Sequence, residues 1–370
     1  MLRILKRKIS KIIPLLKLAT IIGGLVILFL GIYRVTFPFY EFAKVNNLSA
    51  KFFLNLLLNK EPAVKMYKGR TNILLLGVSG GAHDGSDLTD TILFLSIDWS
   101  KKDIVMLSLP RDMWLPSLKD KINSAYHYGE ARKKGGGFVL AKASAEEVIG
   151  QPISYAYLLD FSAFKEMIDL VNGIDVNVPD VITDKEFPIA GKENDLCDGD
   201  ITFSCRYENI RFEKGLQHMD GETALKYVRT RHTEGTEGTD FARGRRQQQV
   251  LIAFKNTFLK LSFLNKLNKL NAFIRIFQKL AVTDMNWAEK ITTAKFLLGI
   301  SDSHIRQLAL NTGDEGKKKK GFLVNPPLWQ FNERWVLIPR IGDGQFQEIA
   351  KYIACNLEDP QCTREGSREQ

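Results

Sequence analysis

Between Tyr227 and Gln248 the chain reads YVRTRHTEGTEGTDFARGRRQQ, which gathers Arg229, Arg231, Arg243, Arg245 and Arg246 around Asp240. Guanidinium is always charged and offers a planar fork of donors that matches phosphate oxygens two at a time, so arginines that converge can hold a pyrophosphate. The segment GETALKYV ahead of the cluster has helical character, yet Arg229 and Arg231 are two residues apart and would point to nearly opposite sides of a helix. If both face one ligand, the helix ends near Arg229, and the polar, glycine-bearing HTEGTEGT that follows allows such an end. Thr239 or Asp240 can cap a second helix, on which Arg243, Arg246 and Gln247 fall at i, i+3 and i+4 on one face. A solvated basic helix with ordinary ion pairs is the plainer alternative. Five arginines in so short a stretch favour the phosphate site.

Phosphate chemistry also calls for charge neutralisation, usually by magnesium on one or two carboxylates. The stretch GVSGGAHDGSDLTDT supplies Asp84, Asp87 and Asp90 among glycines that let backbone approach a ligand closely. Asp90 stands at the start of a strand, on a rigid element. Farther on, SLPRDMW puts Arg111 at the end of another strand, the edge where ligands of open α/β sheets gather. Asp87, Asp90 and Asp240 are all candidates to remove a proton from an attacking hydroxyl. The five histidines are scattered, and no Ser-His-Asp arrangement is evident.

These residues need a scaffold. Asn72–Val78, Thr91–Ile97 and Asp103–Leu109 are short, nearly continuous apolar runs between polar breakers, which reads as strands covered on both faces. Tyr155–Leu159 and Ile174–Val178 add strands. Helical periodicity marks Phe138–Ile149, Phe161–Leu170, Gly221–Val228, Asp240–Leu261 and Trp287–Leu298. The alternation predicts an α/β domain whose central mixed sheet carries helices on both faces. Lys317–Lys320 reads as an exposed hairpin tip.

The N-terminus sets the expected compartment. Ile12–Tyr33 is apolar apart from Lys17, long enough as a helix for the ~30 Å hydrocarbon layer. Arg3, Lys6, Arg7, Lys8 and Lys11 precede it, so the tail at 1–11 is expected to stay cytoplasmic and the rest to lie outside a cell membrane crossed once. The bulky YRVTFPFYEF that follows disfavours signal cleavage. An amphipathic stretch at 34–68 is expected to lie along the membrane or pack on the main domain at 69–260, with 261–370 as an extension packed on that domain. Lys and Arg number 52 against 42 Asp and Glu. The excess sits in the N-terminal patch and the Lys317–Lys320 run, so no nucleic-acid partner is expected. Cys197 with Cys205, and Cys355 with Cys362, are close pairs expected to form local disulfides in an oxidising exterior.

Together the blocks NILLLG, LTDT, SLPRD, KINSAY, VNGIDVNVP, GLQHMDGETALKYVRTRH and DFARGRRQ resemble, in order and spacing over about residues 70 to 260, the LytR-CpsA-Psr family of extracytoplasmic enzymes. The resemblance implies an α/β protein that binds a polyprenyl pyrophosphate beside an apolar tunnel and passes a glycopolymer from that lipid to peptidoglycan. By that resemblance Asp90 is a magnesium ligand, and Arg111, Arg229, Arg231, Arg243, Arg246 and Gln247 hold the pyrophosphate. The family usually has aspartate where Ser79 stands and arginine where Leu88 stands. Asp84 or Asp87 is then expected to complete the metal site, and Asp90, Arg111 and Asp240 are the catalytic candidates. A polyprenyl tail needs an apolar cleft beside the arginines, for which Phe161, Phe164, Val250, Leu251 and Phe254 are candidates, with core packing as their plainer role. Two other functions fit the same residues: a membrane-bound regulator that holds polyprenyl phosphates without turnover, and a polyprenyl-pyrophosphate pyrophosphatase.

Overall fold

The computed structural model describes residues 2–58, 60, 63–81, 85–189, 191–192, 194–231, 240–262, 269, 272, 274–276, 281–314, 319–359 and 362. Side chains at 2–16, 19, 35, 38, 39, 240, 314, 319 and 320 lie outside that description. The chain divides into two compact units.

Met1–Ala63 and Asn286–Thr292 form the first unit. It holds α1 (Leu2–Val45) and α2 (Ala50–Leu57), the latter begun by Ser49, whose hydroxyl accepts the Phe52 N–H at 3.1 Å. Phe42 meets the Trp287 ring edge-on at 4.9 Å. The expected anchor at 12–33 falls within α1, where the side chains at 12–16 and 19 lie outside the described residues. Among the described residues, no helix is long and apolar enough to cross a membrane. Those that are described from Leu18 to Tyr33 are exposed, including Ile27 and Phe29.

The second unit, Val64–Met285 with Thr293–Gln370, carries the sheet. In chain order its principal elements are β1 (Arg70–Val78), β2 (Thr89–Asp98), β3 (Asp103–Ser108), α3 (Ala125–Arg132), α4 (Gly136–Ile149), β4 (Tyr155–Asp160), α5 (Phe161–Leu170), β5 (Ile174–Val178), β6 (Ile182–Pro188), β7 (Tyr207–Phe212), β8 (Gly215–Met219), α6 (Gly221–Arg229), α7 (Asp240–Lys260), β9 (Ala281–Thr283), α8 (Trp287–Gly299, shared between the units), β10 (Ile305–Ala309) and α9 (Gln347–Glu358). Six strands form one mixed sheet in the order β9-β4-β1-β2-β3-β10, with β1–β4 and β3–β10 parallel and the other neighbours antiparallel.

Alternation of side chains along each strand builds two cores from one sheet. Leu74, Leu76, Phe94, Val105 and Leu107 face α4 and α9, packing on Ala145, Val148, Ile349 and Ile353. Ile73, Leu93, Leu95, Ile104 and Met106 face the other way, toward Ile252 of α7 and Phe296 and Leu297 of α8. Helices therefore cover both faces, as the unbroken apolar runs require. A third cluster joins α5, α6 and α7 to β5, around Ile168, Val176, Leu225, Tyr227 and Val250.

Both edge strands, β9 and β10, come from the segment at 261–370, so that segment supplies strands to the sheet as well as helical residues packed on its faces. Ile174–Val178 is a strand, but it pairs with β8 outside the main sheet. Both cysteine pairs are joined as expected, Cys197–Cys205 between β6 and β7 and Cys355–Cys362 at the end of α9. Gly313–Asp314 pairs antiparallel with Lys319–Lys320, and the tip between them lies outside the described residues.

Candidate active site

Helix α6 starts at Asp220, whose carboxylate accepts the Thr223 N–H at 2.8 Å. It ends at Arg229, because Thr230 leaves helical geometry (φ −50, ψ 132) and turns its hydroxyl back to the Lys226 carbonyl at 2.8 Å. That end gives the two arginines different settings. Arg229 lies between two phenyl rings, 4.8 Å from the centroid of Phe161 at the start of α5 and 5.2 Å from that of Phe187 near the end of β6. The rings hold the guanidinium by cation–π attraction. Arg231 is held through its backbone: its N–H donates to Asp184 Oδ2 at 2.9 Å, while Asp184 Oδ1 accepts the Glu186 N–H at 3.1 Å.

The sheet contributes from β2 and from the turn after β3. Gly77 pairs with Thr91 and Val78 with Thr89, so Asp90 is the extra residue of a β-bulge, which redirects its side chain out of the ladder. Its Oδ1 accepts a short charge-assisted hydrogen bond from Arg111 Nη1. Asp112 behind it takes Lys121 Nζ at 2.6 Å, fixing the turn from below. Preceding β2, the glycine loop closes with the Gly80 N–H on the Ser86 carbonyl at 2.9 Å. Gly80 has φ +68, and a Cβ there would lie 3.0 Å from Asp160 Cβ, the residue that caps α5. Only glycine meets both demands.

On α7, Arg243 and Gln247 stand one turn apart, and Gln247 Nε2 donates to Thr91 Oγ1 at 2.8 Å, tying the helix to β2. A cleft of about 100 Å³ opens among these groups. Arg111, Arg229, Arg231, Arg243, Gln247 and Thr91 line it, together with the carboxylates of Asp90 and Asp184 and the apolar Phe161, Phe187, Pro188 and Val228. These lining residues include four guanidiniums and two carboxylates, a set suited to an anionic ligand.

Several expected members lie elsewhere. Arg246 is only 1% exposed, and it donates from Nε to the Tyr227 carbonyl at 3.0 Å and from Nη2 to the Thr230 carbonyl at 2.5 Å. It satisfies the last carbonyls of α6 and joins α6 to α7, so it braces the site and does not line the cleft. Asp87 hydrogen-bonds His127 Nδ1 at 2.8 Å and is not among the cleft's lining residues. Asp84 and the side chain of Asp240 lie outside the described residues. Of the apolar candidates, Phe161 lines the cleft. Val250 is 1% exposed in the third cluster, with half-buried Phe164 and Phe254 packed on it, because this face of α7 is closed by α5 and α6. Leu251 is 37% exposed on the outside. Sequence reasoning missed Asp184 and Phe187, whose strand pair at 182–212 carries only weak alternation.

One metal question is open to geometry. Ser79, where an aspartate was expected, spends its hydroxyl on the Ser86 carbonyl at 3.3 Å. Among the described residues, the one trio of potential metal donors is Asp195 with Cys197 and Cys205, and those sulfurs are in a disulfide. Of the two carboxylates lining the cleft, Asp184 accepts the Arg231 and Glu186 N–H groups, which makes Asp90 the hard-oxygen donor for a metal. A single carboxylate suits magnesium where phosphate oxygens and water complete the shell.

A model of the LytR_cpsA_psr family matches residues 43–325, most of the chain. The chain belongs to that family. This family member is 31% identical over 212 residues to the polyisoprenyl-teichoic acid–peptidoglycan teichoic acid transferase TagV of Bacillus subtilis (strain 168), a match covering 57% of the chain and 49% of that relative. To TagT of the same organism, named likewise, it is 28% identical over 260 residues, 67% of the chain and 70% of the relative. To the regulatory protein MsrR of Staphylococcus aureus (strain COL) it is 29% identical over 263 residues, 70% of the chain and 65% of the relative. The chain thus spans about half the length of TagV and about two thirds of TagT and MsrR. The crystal structure of B. subtilis TagV superposes with a TM-score of 0.54 at 24% identity, covering 79% of this chain and 99% of that one. The structure titled TagT bound to LIIa-WTA does so with 0.52 at 22%, covering 80% and 94%. Both likenesses establish the shared α/β fold.

Proposed function

We propose that this family member is an extracytoplasmic phosphotransferase that moves a glycopolymer from a polyprenyl-pyrophosphate carrier to peptidoglycan or a related cell-wall acceptor. One observation carries the reading: a cluster of arginines and an apolar wall meet in a single cleft, with Arg229 held between Phe161 and Phe187. A lipid pyrophosphate has that same junction of charge and hydrocarbon. The transferase names of TagV and TagT, and the TagT structure with its bound ligand, support the substrate class.

In this mechanism Arg111, Arg229, Arg231 and Arg243 hold the pyrophosphate, and the first carbons of the lipid lie against Phe161, Phe187, Pro188 and Val228. The acceptor hydroxyl forms a bond to the sugar-bearing phosphorus as the bond from that phosphorus to the bridging oxygen breaks. Charge gathers on the transferred group and on the departing lipid phosphate, where fixed guanidiniums stabilise it without reorganising. The hydroxyl proton ends on the lipid phosphate, with Asp90 the lining carboxylate that relays it. Magnesium, when bound, would be held by Asp90 and phosphate oxygens and would add positive charge to the reacting group. The anhydride supplies the driving force, which suits a compartment without ATP.

The exposed apolar stretch of α1, behind its basic N-terminal residues, supports a single-pass anchor with the second unit outside the cell. A reporter fused after Gln370 is expected to be extracytoplasmic and to sediment with membranes. A soluble, N-terminally trimmed product would contradict the anchor.

The decisive assay incubates the full-length chain in detergent with a short polyprenyl-pyrophosphate glycan, magnesium and peptidoglycan oligomers. Formation of a phosphodiester between glycan and oligomer supports transfer. Ser79 and the regulatory name of MsrR favour a second reading, binding without turnover, which the assay would show as retention of intact lipid. Release of free glycan phosphate would mark a pyrophosphatase.

A further inference from the structure

A second, much smaller space, with room for about one water or hydroxyl group, lies beside Arg243 between α7 and the ends of β3 and β10. It shares Asp90, Arg243 and Gln247 with the cleft. Those three residues therefore form a common wall between two chambers. The second chamber differs in chemistry. Among its lining residues is Gln248, 1% exposed, whose Oε1 is buried and has no hydrogen-bond partner among the described residues. The amide cannot turn round to cure this: Nε2 donates to the Leu308 carbonyl at 3.4 Å and to Ser108 Oγ at 3.1 Å, and a carbonyl can only accept. Ser108 also lines the chamber, and with its oxygen accepting from Gln248 its proton remains available to donate. Gly244 lets α7 come this close, since a Cβ there would lie 2.6 Å from Ser108 Cβ.

A buried acceptor oxygen repels phosphate and needs a donor. A hydroxyl meets it, because it both donates and accepts. We propose that this second chamber is the subsite for the acceptor: a sugar hydroxyl enters here, donating to Gln248 Oε1 or Asp90 and accepting from Ser108 or Arg243, while the pyrophosphate lies in the cleft. The inference rests on the phosphotransfer reading above. It also supplies what that reaction requires, because in-line displacement needs the attacking and leaving oxygens on opposite sides of the phosphorus. The common wall of Asp90, Arg243 and Gln247 is where the two would meet.

The test uses the full-length chain in detergent with a short polyprenyl-pyrophosphate glycan as donor and a peptidoglycan tetrasaccharide as acceptor. Gln248→Met keeps the volume and the helix but removes the amide, and Ala309→Val fills the chamber from β10 without touching a polar group. Each is expected to raise the acceptor KM at least tenfold, to leave the donor KM within twofold, and to weaken tetrasaccharide binding measured by saturation-transfer NMR. Unchanged tetrasaccharide binding in both folded variants would overturn the subsite, as would a rise in donor KM equal to the rise for acceptor. If the wild-type chain shows no transfer, the parent reading fails by that result alone. Tetrasaccharide binding by the wild type and its loss in the variants then still decide the subsite.

Discussion

Two groups of arginines lie at different parts of the sheet, and their surroundings differ. In the first, Arg70 on β1 and Arg306 on β10 meet Asp98 and Asp103, two cations with two carboxylates. Arg70 is 6% exposed and also donates to Ser96 and to the Leu357 carbonyl, while Arg306 reaches the Asn356 carbonyl at 2.7 Å, so the pair fastens the end of α9 to the sheet. Burial pulls the Arg70 guanidinium below its usual value against the attraction of Asp103 and Asp98. In the second, four arginines line a cleft with two carboxylates, and one of them, Arg229, rests between aromatic rings. The same side chain is a brace where charge is matched and buried, and, on the proposed function, a phosphate receptor where several line one opening.

The comparison is broken most severely by removing the brace. Arg70→Ala leaves Asp98 in a buried setting without its cation and Asp103 with Arg306 alone, which is expected to cost about 3–5 kcal/mol of folding stability. Denaturant titration checks this, and transfer per folded molecule should be retained. Arg229→Ala should do the reverse. It removes a preorganised donor and is expected to cost about 2–4 kcal/mol of transition-state stabilisation, with little change in the unfolding midpoint, and Arg229→Lys should rescue poorly because an ammonium cannot reproduce the fork.

Arg246 sharpens the comparison, since it lies in the cleft's sequence block but has the brace's environment. Arg246→Ala uncovers the Tyr227 and Thr230 carbonyls and is expected to lose about 1–3 kcal/mol of stability. Its activity should track the folded fraction. A hundredfold loss in fully folded protein would return it to the ligand.

The smallest effect is one of pH. Burial pushes the Asp98 carboxyl up, but hydrogen bonds from Lys101 and Ser100 and the charge of Arg70 outweigh it and hold the group below the usual carboxylate range. A carboxyl with a depressed folded value stabilises fully above its unfolded value, near 3.9, and loses that contribution as pH falls through the folded value. The Tm of the wild type should therefore fall more steeply below about pH 4 than that of Asp98→Asn. Parallel curves would remove Asp98 from the brace.

Much of this was legible in the residues. β1 to β3 are apolar runs because both faces are covered, and α6 ends at Arg229, as it must for Arg229 and Arg231 to line one cleft. Spacing failed at Arg246, because i, i+3 and i+4 positions define a helix face but not what that face meets. The lower part of that face meets the last carbonyls of α6. The edge strands β9 and β10 were not legible, being short segments whose pairing with β4 and β3 is set by distant neighbours. Asp184, Phe187 and Gln248 reach their sites through long-range packing that no local pattern announces.

The central claim is that the sugar-bearing phosphate moves while the lipid keeps its own. A donor carrying isotopic phosphorus only at the sugar-bearing position tests it in one experiment with the full-length chain and peptidoglycan oligomers. The account predicts label in the oligomer, unlabelled polyprenyl monophosphate released in equal amount, and both products formed at least about thirtyfold more slowly by Arg229→Ala. Label released as free glycan phosphate in the presence of acceptor, or equal transfer by Arg229→Ala, would contradict it.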